Sequence, residues 1–387
     1  MSHNVAIAGA TGAVGEEFLR VLEARRFPIK NLKLLASERS AGKTIRFMGQ
    51  DITVQKLERG AFKGVDYALF SAGGSVSREF CPIAASEGAV VIDNSSAFRM
   101  DDNVPLVVPE INPNDAFKHK GIIANPNCTT IITLMAVAPL HRAATLTRLV
   151  ISSYQSISGA GARAMAELEQ QARDWAAGRP VKHEAQAHQI LFNVYPHIDV
   201  FQPNGYTKEE MKLLHEGRKI LGHKSLRASA TCVRVPVLRC HSVSINAEFK
   251  KKLTPDEARR ILAVSPGVEV LDDPGSNLYP MPLDRALKDD VAVGRIREDV
   301  SSDRGGLSLW AVGDQLAKGA ALNAVQIAEL LIAGPVAQPV KAGPAQRKPS
   351  RTAKPTGRRA KPAARRSKPA PRKRGKPNKA AKSRSRR

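Results

Sequence analysis

Of the 387 residues, 42% are hydrophobic and 25% charged, and the formal net charge is +24. That length exceeds one ordinary core and predicts two domains; no apolar run reaches the ~20 residues of a membrane-spanning helix, so no membrane partner is expected. Twenty of the 60 Lys and Arg, and none of the 36 Asp and Glu, lie between Lys341 and Arg387, so residues 1–340 carry a balance of only +4 and the basicity belongs to an appendage.

Met1-Ser2-His3-Asn4 leads without a basic leader into Val5-Ala6-Ile7-Ala8, a short apolar strand. Cys81, Cys128, Cys232 and Cys240 form no CxxC pair. A reducing, cytoplasmic setting is expected. The strand ends in Gly9-Ala10-Thr11-Gly12-Ala13-Val14-Gly15, and a helical spacing of Val14, Phe18, Val21 and Leu22 follows. Strand, glycine turn and helix are the setting of a dinucleotide loop, where backbone N–H groups meet a pyrophosphate. The spacing is GxxGxxG rather than GxGxxG, and glycine turns also serve plain strand–helix packing.

Leu32 to Ala36 is the second strand, followed by Ser37-Glu38-Arg39-Ser40-Ala41-Gly42-Lys43. In such a fold this strand end meets the adenosine ribose: a carboxylate suits the 2′-OH of NAD, an arginine the 2′-phosphate of NADP. Arg39, with Ser40 and Lys43 beside it, favours NADP over the claim of Glu38. Val65–Phe70 and Val90–Asp93 are further strands, each ending in small polar residues, which predicts a parallel sheet with a ligand crevice at its carboxyl ends. Arg99 stands at one such end, as an anion ligand or as an ordinary ion-pair partner.

Asn125-Pro126-Asn127-Cys128-Thr129-Thr130 separates this region from the next. Pro126 holds the turn extended, and the apolar run from Ile131 to Ala138 reads as a buried helix. Cys128 then lies at a helix N-terminus, where the dipole lowers a thiol pKa; the alternative is a small buried hydrophobe. Leu149–Ile157 is a strand, Ser158–Gly161 a turn and Ala162–Ala176 a helix. His183, His188 and His197 have no i, i+4 spacing, HExxH or CxxC company, so no metal is expected. Thr207-Lys208-Glu209-Glu210 is a capping box opening a helix that ends at Gly222. Glu209 and Lys212, three apart, share a face, either as a solvated pair or as joint ligands. Ala228–Val237 is a strand containing Arg234; His241 opens another, with Val243, Ile245, Ala247 and Phe249 on its face. A last helix spans Ala317 to Ala333.

The chain resembles the bacterial aspartate-semialdehyde dehydrogenases over residues 4–334. The resemblance rests on an ordered set: GATGAVG at 9–15, SERSAGK at 37–43, DNSSAFR at 93–99 and NPNCTT at 125–130, then SYQSISGAG at 153–161, GYTKEEMK at 205–212, RVPVLRCHS at 234–242 and KGAALNAVQIAE at 318–329. It implies an α/β fold: a Rossmann-like dinucleotide-binding domain (1–127 with 313–334) and an α+β catalytic and dimerisation domain (128–312). The Pro-, Lys- and Arg-rich composition separately predicts a disordered basic tail (335–387). The resemblance also implies NADP contacts at Gly9, Thr11, Gly12, Ala13, Val14, Arg39, Ser40, Ser158 and Gly159. Gln315 is a weaker contact, because the family usually places Asn there.

By the same resemblance Cys128 is the nucleophile that forms a thioester, and Gln155 orients the substrate. Arg234 clamps its α-carboxylate and Glu209 its ammonium group. Arg99 and Lys212 hold inorganic phosphate or the acyl phosphate, and His241 is the general acid/base. The implied reaction interconverts aspartate semialdehyde and aspartyl phosphate, in a homodimer, on the route to lysine, methionine, threonine and diaminopimelate. Two alternatives stand beside it: an N-acetyl-glutamyl-phosphate reductase, and a non-catalytic paralogue. The tail, rich in Pro, Lys and Arg and without aromatics, suits non-specific nucleic-acid binding or mere solubility.

Overall fold

A computed structural model describes residues 1–335; the expectation for the basic tail falls outside the described residues. Thirteen strands and eight helices follow in order among them: β1 (His3–Ala8), α1 (Ala13–Ala24), β2 (Ile29–Ala36), β3 (Thr44–Phe47), β4 (Gln50–Lys56), β5 (Tyr67–Phe70), α2 (Gly74–Ser86), β6 (Val90–Asp93) and β7 (Ile122–Ala124). Then come α3 (Cys128–Ala144), β8 (Leu146–Gln155), α4 (Ala162–Ala176), α5 (Lys208–Ile220), β9 (Arg227–Arg234), β10 (His241–Phe249), α6 (Pro255–Ala263), β11 (Val268–Val270), α7 (Pro282–Arg285), β12 (Val291–Glu298), β13 (Gly306–Gly313) and α8 (Leu322–Ala333).

The first sheet has the order β3-β4-β2-β1-β5-β6-β7 and is parallel except for the β3–β4 hairpin. Because side chains alternate along a strand, Val5 and Ile7 pack with Phe18 and Leu22 of α1 and Val325 and Ile327 of α8. Ala6 and Ala8 face the opposite layer, with Cys81 and Ala84 of α2. Burial on both faces explains why these strands read as continuous apolar runs. The chain leaves β1 for β2 on one side and returns to β5 on the other, so the crevice opens beyond the ends of β1 and β5.

The second sheet, β11-β12-β13-β10-β8-β9, is mixed. Its inner face packs on α3, whose Ile131, Leu134 and Met135 join Val243, Ile245 and Ala247 of β10 in one core. Its other face is only partly covered: Val150, Ser152, Ser244 and Trp310 are half-buried and Tyr154 exposed.

Three boundaries depart from expectation for local reasons. The strand expected from Val65 starts at Tyr67, because the Val65 amide closes a turn onto Phe62 O at 3.0 Å. The strand through Arg234 stops there, two residues before Pro236, which has no N–H to donate. The last helix opens as a π-turn over Ala317–Ala321, with Gly319 N–H on Asp314 O (3.0 Å) and Ala321 N–H on Leu316 O (2.9 Å).

Candidate active site

The turn after β7 delivers Cys128 to the first position of α3. Asn127 caps that helix: its Oδ1 accepts the Thr130 N–H at 3.1 Å, and the backbone at Asn127 is extended, as an N-cap requires. Gly319 of the π-turn presses on the cysteine so closely that a Cβ there would lie 2.8 Å from Cys128 Cβ. Cys128 is half-buried as a residue. Burial, with the Glu209 carboxylate adding to it, pushes the thiol up to about 11, against the pull of Arg99 and Lys212. Burial thus works against the lowered thiol pKa expected at a helix N-terminus.

α5 places Glu209 across from the turn. Its Oε1 accepts Asn127 Nδ2 (2.9 Å) and Gln155 Nε2 (3.2 Å), and its Oε2 pairs with Lys212 Nζ at 2.8 Å. Burial opposes ionisation, yet Lys212 and the two amides hold the carboxyl below its ordinary value. Lys212 also reaches Asp199 Oδ2 at 2.9 Å. The pair sharing one helix face is thus an ion pair with a buried carboxylate and a half-buried ammonium, and the expected capping box of α5 is formed on both sides.

Arg234, at the end of β9, donates from Nη1 to Ser156 O at 2.6 Å, while its buried Nε has no partner. His241 opens β10, and its Nδ1 accepts the Ser156 N–H at 3.1 Å. The neutral ring therefore carries its proton on Nε2, which is buried without a partner. Burial, reinforced by Arg234, lowers the imidazole to about 3, so the ring is neutral across physiological pH. Both side chains converge on Gly159, where a Cβ would meet Arg234 Nη1 at 3.2 Å and His241 Nε2 at 3.4 Å. Arg234 feels the charges of Glu209 and Cys128 as well. Cys128, Gln155, Glu209, Arg234 and His241 thus form one connected cluster.

Arg99 is buried and well occupied: Nε donates to Asn125 O (2.9 Å), Nη1 to Glu216 Oε1 (3.1 Å) and Nη2 to Asn94 O (2.7 Å). Two of its five N–H donors remain. Arg99 borders a cavity of about 180 Å³ whose walls combine Met100 and Met211 with the cations Lys208 and Lys212 and the carboxylate of Glu216.

At the crevice of the first sheet, Gly9 has φ +89, and a Cβ there would strike Ser71 O at 2.3 Å. Gly12 is the N-cap of α1 and offers no side-chain cap, so the first-turn N–H groups at Ala13 and Val14 face an open end. Thr11 Oγ1 contacts Ser40 Oγ at 3.4 Å across the loop. Arg39 is exposed, while Glu38 pairs with Lys56 at 3.1 Å. The residues present fit a dinucleotide. At the far end of the crevice Gln315 bonds Ser158 Oγ through Nε2 and accepts the Cys240 N–H at 2.7 Å, tying the third expected contact region to the second sheet.

Asn127, Ser156 and Glu216 were not singled out from sequence. Asn127 was findable as an Asn followed by a helix. Glu216, seven residues after Glu209, was findable as the same helix face two turns on.

This architecture and this cluster define a class, a two-domain α/β oxidoreductase with a cysteine at a helix N-terminus. The profile of the semialdehyde dehydrogenase NAD binding domain matches residues 4–119, and that of the semialdehyde dehydrogenase dimerisation domain residues 137–318. Aspartate-semialdehyde dehydrogenase of Aquifex aeolicus is 54% identical over 86% of this chain and 98% of its own length, and that of Bacillus subtilis 49% identical over 85% and 97%. The crystal structure of aspartate semialdehyde dehydrogenase II from Vibrio cholerae, complexed with ASA, superposes with a TM-score of 0.84 at 46% identity, covering 86% of this chain and 99% of that one. The chain belongs to the aspartate-semialdehyde dehydrogenase family.

Proposed function

We propose that the protein interconverts L-aspartate 4-semialdehyde and L-4-aspartyl phosphate, using NADP and inorganic phosphate through a thioester on Cys128, on the route to lysine, methionine, threonine and diaminopimelate. The observation that carries this reading is the convergence on one helix N-terminus of a thiol, a carboxylate, a buried arginine and a neutral histidine. Arg234, with unspent donors, takes the α-carboxylate. Glu209 takes the ammonium group, exchanging Lys212 for it, and Gln155 is held by Glu209 to orient the chain of the substrate.

The Cys128 thiolate, formed by loss of its proton to solvent, attacks the aldehyde carbon, forming a C–S bond as the C=O π bond opens, and the Nε2–H of His241 donates to the resulting oxyanion as its acid/base partner. Re-forming the C=O expels the C–H electron pair as hydride and leaves the thioester. Bound NADP supplies the two-electron acceptor in this direction and, as NADPH, the donor in the other. A phosphate oxygen held by Arg99 and Lys212 then attacks the thioester carbon; the C–S bond breaks and the thiolate leaves. Gly9, Thr11, Gly12, Ala13, Val14, Ser158, Gly159 and Gln315 hold the dinucleotide, and Arg39 with Ser40 selects the 2′-phosphate. The domain limits proposed are 1–127 with 313–334, and 128–312. The half-covered face of the second sheet, where the Tyr154 and Trp310 rings pack in a tilted arrangement with centroids 5.4 Å apart, supports a homodimer. The basic segment after residue 340 supports non-specific binding of polyanions.

The test is an assay of NADP reduction with aspartate semialdehyde and with N-acetyl-glutamate semialdehyde, each with and without phosphate. Phosphate-dependent turnover confined to the substrate with a free ammonium group is expected. Preference for the acetylated substrate overturns the role of Glu209.

A further inference from the structure

Glu216 is 1% exposed and lies on α5 two turns beyond Glu209, so both carboxylates project from one helix face toward the turn before Cys128. Its two oxygens serve different partners. Oε2 accepts the backbone N–H of Asn127 at 2.7 Å, and Oε1 accepts Arg99 Nη1 at 3.1 Å. Arg99 in turn donates to the carbonyl of Asn125 at 2.9 Å. The turn is therefore clasped on both sides of Pro126: its incoming carbonyl by Arg99, its outgoing amide by Glu216. Glu209 completes the hold through the Asn127 side chain.

We propose that Glu216 is a positioning residue for the reaction, fixing the Asn125–Cys128 turn and the Arg99 guanidinium relative to each other. The proposal rests on Cys128 being the nucleophile and Arg99 an anion ligand. Glu216 itself touches neither substrate nor cofactor in that reading; it acts by joining the cysteine's turn to the wall of the cavity that Arg99 borders. An N–H is not an acceptor, so a glutamine at this position can accept from only one of its two partners and must turn its NH2 against the other. An aspartate keeps the charge but falls one methylene short of spanning both.

The experiment compares wild type with Glu216→Gln, Glu216→Asp and Cys128→Ala, the last as the arm that tests the parent reading. Folding is followed by thermal unfolding. Function is read as kcat, the KM values for NADP and phosphate, and the second-order rate of Cys128 alkylation by iodoacetamide, from the mass of its peptide. In the folded variants kcat falls about tenfold or more, as a displaced nucleophile requires, with the KM for NADP changed less than about twofold. The alkylation rate at pH 7 changes along with kcat, because the thiol itself has moved; a loss of stability alone would leave both untouched in the folded fraction. Wild-type kcat and alkylation in either folded variant overturns the proposal, as does failure of both variants to fold, which would make Glu216 an ion-pair partner of the core. Retained activity in Cys128→Ala would instead overturn the parent reading.

Discussion

At the residue scale, the thiol of Cys128 stands under opposing influences from its own helix and from α5. A helix N-terminus favours the thiolate, but burial and Glu209 raise the thiol to about 11. The sign follows directly: below that pH the reactive thiolate is the minor form, and it grows about tenfold per pH unit. Iodoacetamide alkylation of the free protein should therefore keep rising from pH 7 to beyond pH 10. A plateau below pH 8 would mean that the dipole and the cations Arg99 and Lys212 prevail. His241, lowered to about 3, stays neutral over the whole range and contributes no inflection to that profile. The members of the cluster are nameable only through the family resemblance; read alone, Cys128 stands open between a thiolate and a buried hydrophobe, and His241 reads as an ordinary strand histidine. What was not legible is the electrostatics, which depends on Glu209 and Lys212 being brought across from α5 to face Cys128.

At the scale of elements, the strand–turn–helix units of the first sheet were readable because parallel strands buried on both faces are short apolar runs with glycine or polar endings. The capping box of α5 was readable because its chemistry is local. The β3–β4 hairpin and the strands β11, β12 and β13 were not. Arg46, Asp51, Gln55, Arg295 and Arg297 interrupt the apolar pattern of β3, β4 and β12, and β4 and β13 are aligned by β2 and β10, which lie farther away along the chain. The π-turn at Ala317–Ala321 was equally hidden, since nothing in its composition separates it from an α-helix. Its function is visible only in space, where it brings Gly319 against Cys128. Elsewhere in a helix, Gly→Ala gains up to about 1 kcal/mol. Here the new methyl would meet Cys128 Cβ at 2.8 Å, so Gly319→Ala should instead lose about 1–3 kcal/mol through overpacking. It should also slow Cys128 alkylation. Denaturant unfolding and the alkylation rate check this, and a stabilised variant with wild-type reactivity would show that the π-turn yields freely.

At the scale of the molecule, the near-neutral balance of residues 1–340 and the 20 basic residues after them divide the chain chemically. The family match, the two sheets and the whole candidate site lie within residues 1–335. A chain ending at Pro335 should therefore keep full specific activity. Any affinity of the full chain for double-stranded DNA should fall steeply with salt, since each neutralised phosphate releases condensed counterions. That affinity should vanish in the shortened chain. Equal binding by both, or none by either at low salt, removes the polyanion role and leaves the segment as a solubilising appendage.

The central claim, that one thiol carries the acyl group between aldehyde and phosphate, is tested most directly by mixing protein, NADP and aspartate semialdehyde rapidly without phosphate. A burst of about one NADPH per site is expected, with a mass increase on the Cys128 peptide in the acid-quenched protein and turnover only once phosphate is added. Cys128→Ala should show neither burst nor turnover. Sustained phosphate-dependent turnover by Cys128→Ala, or a burst with the acyl group on another residue, would contradict it.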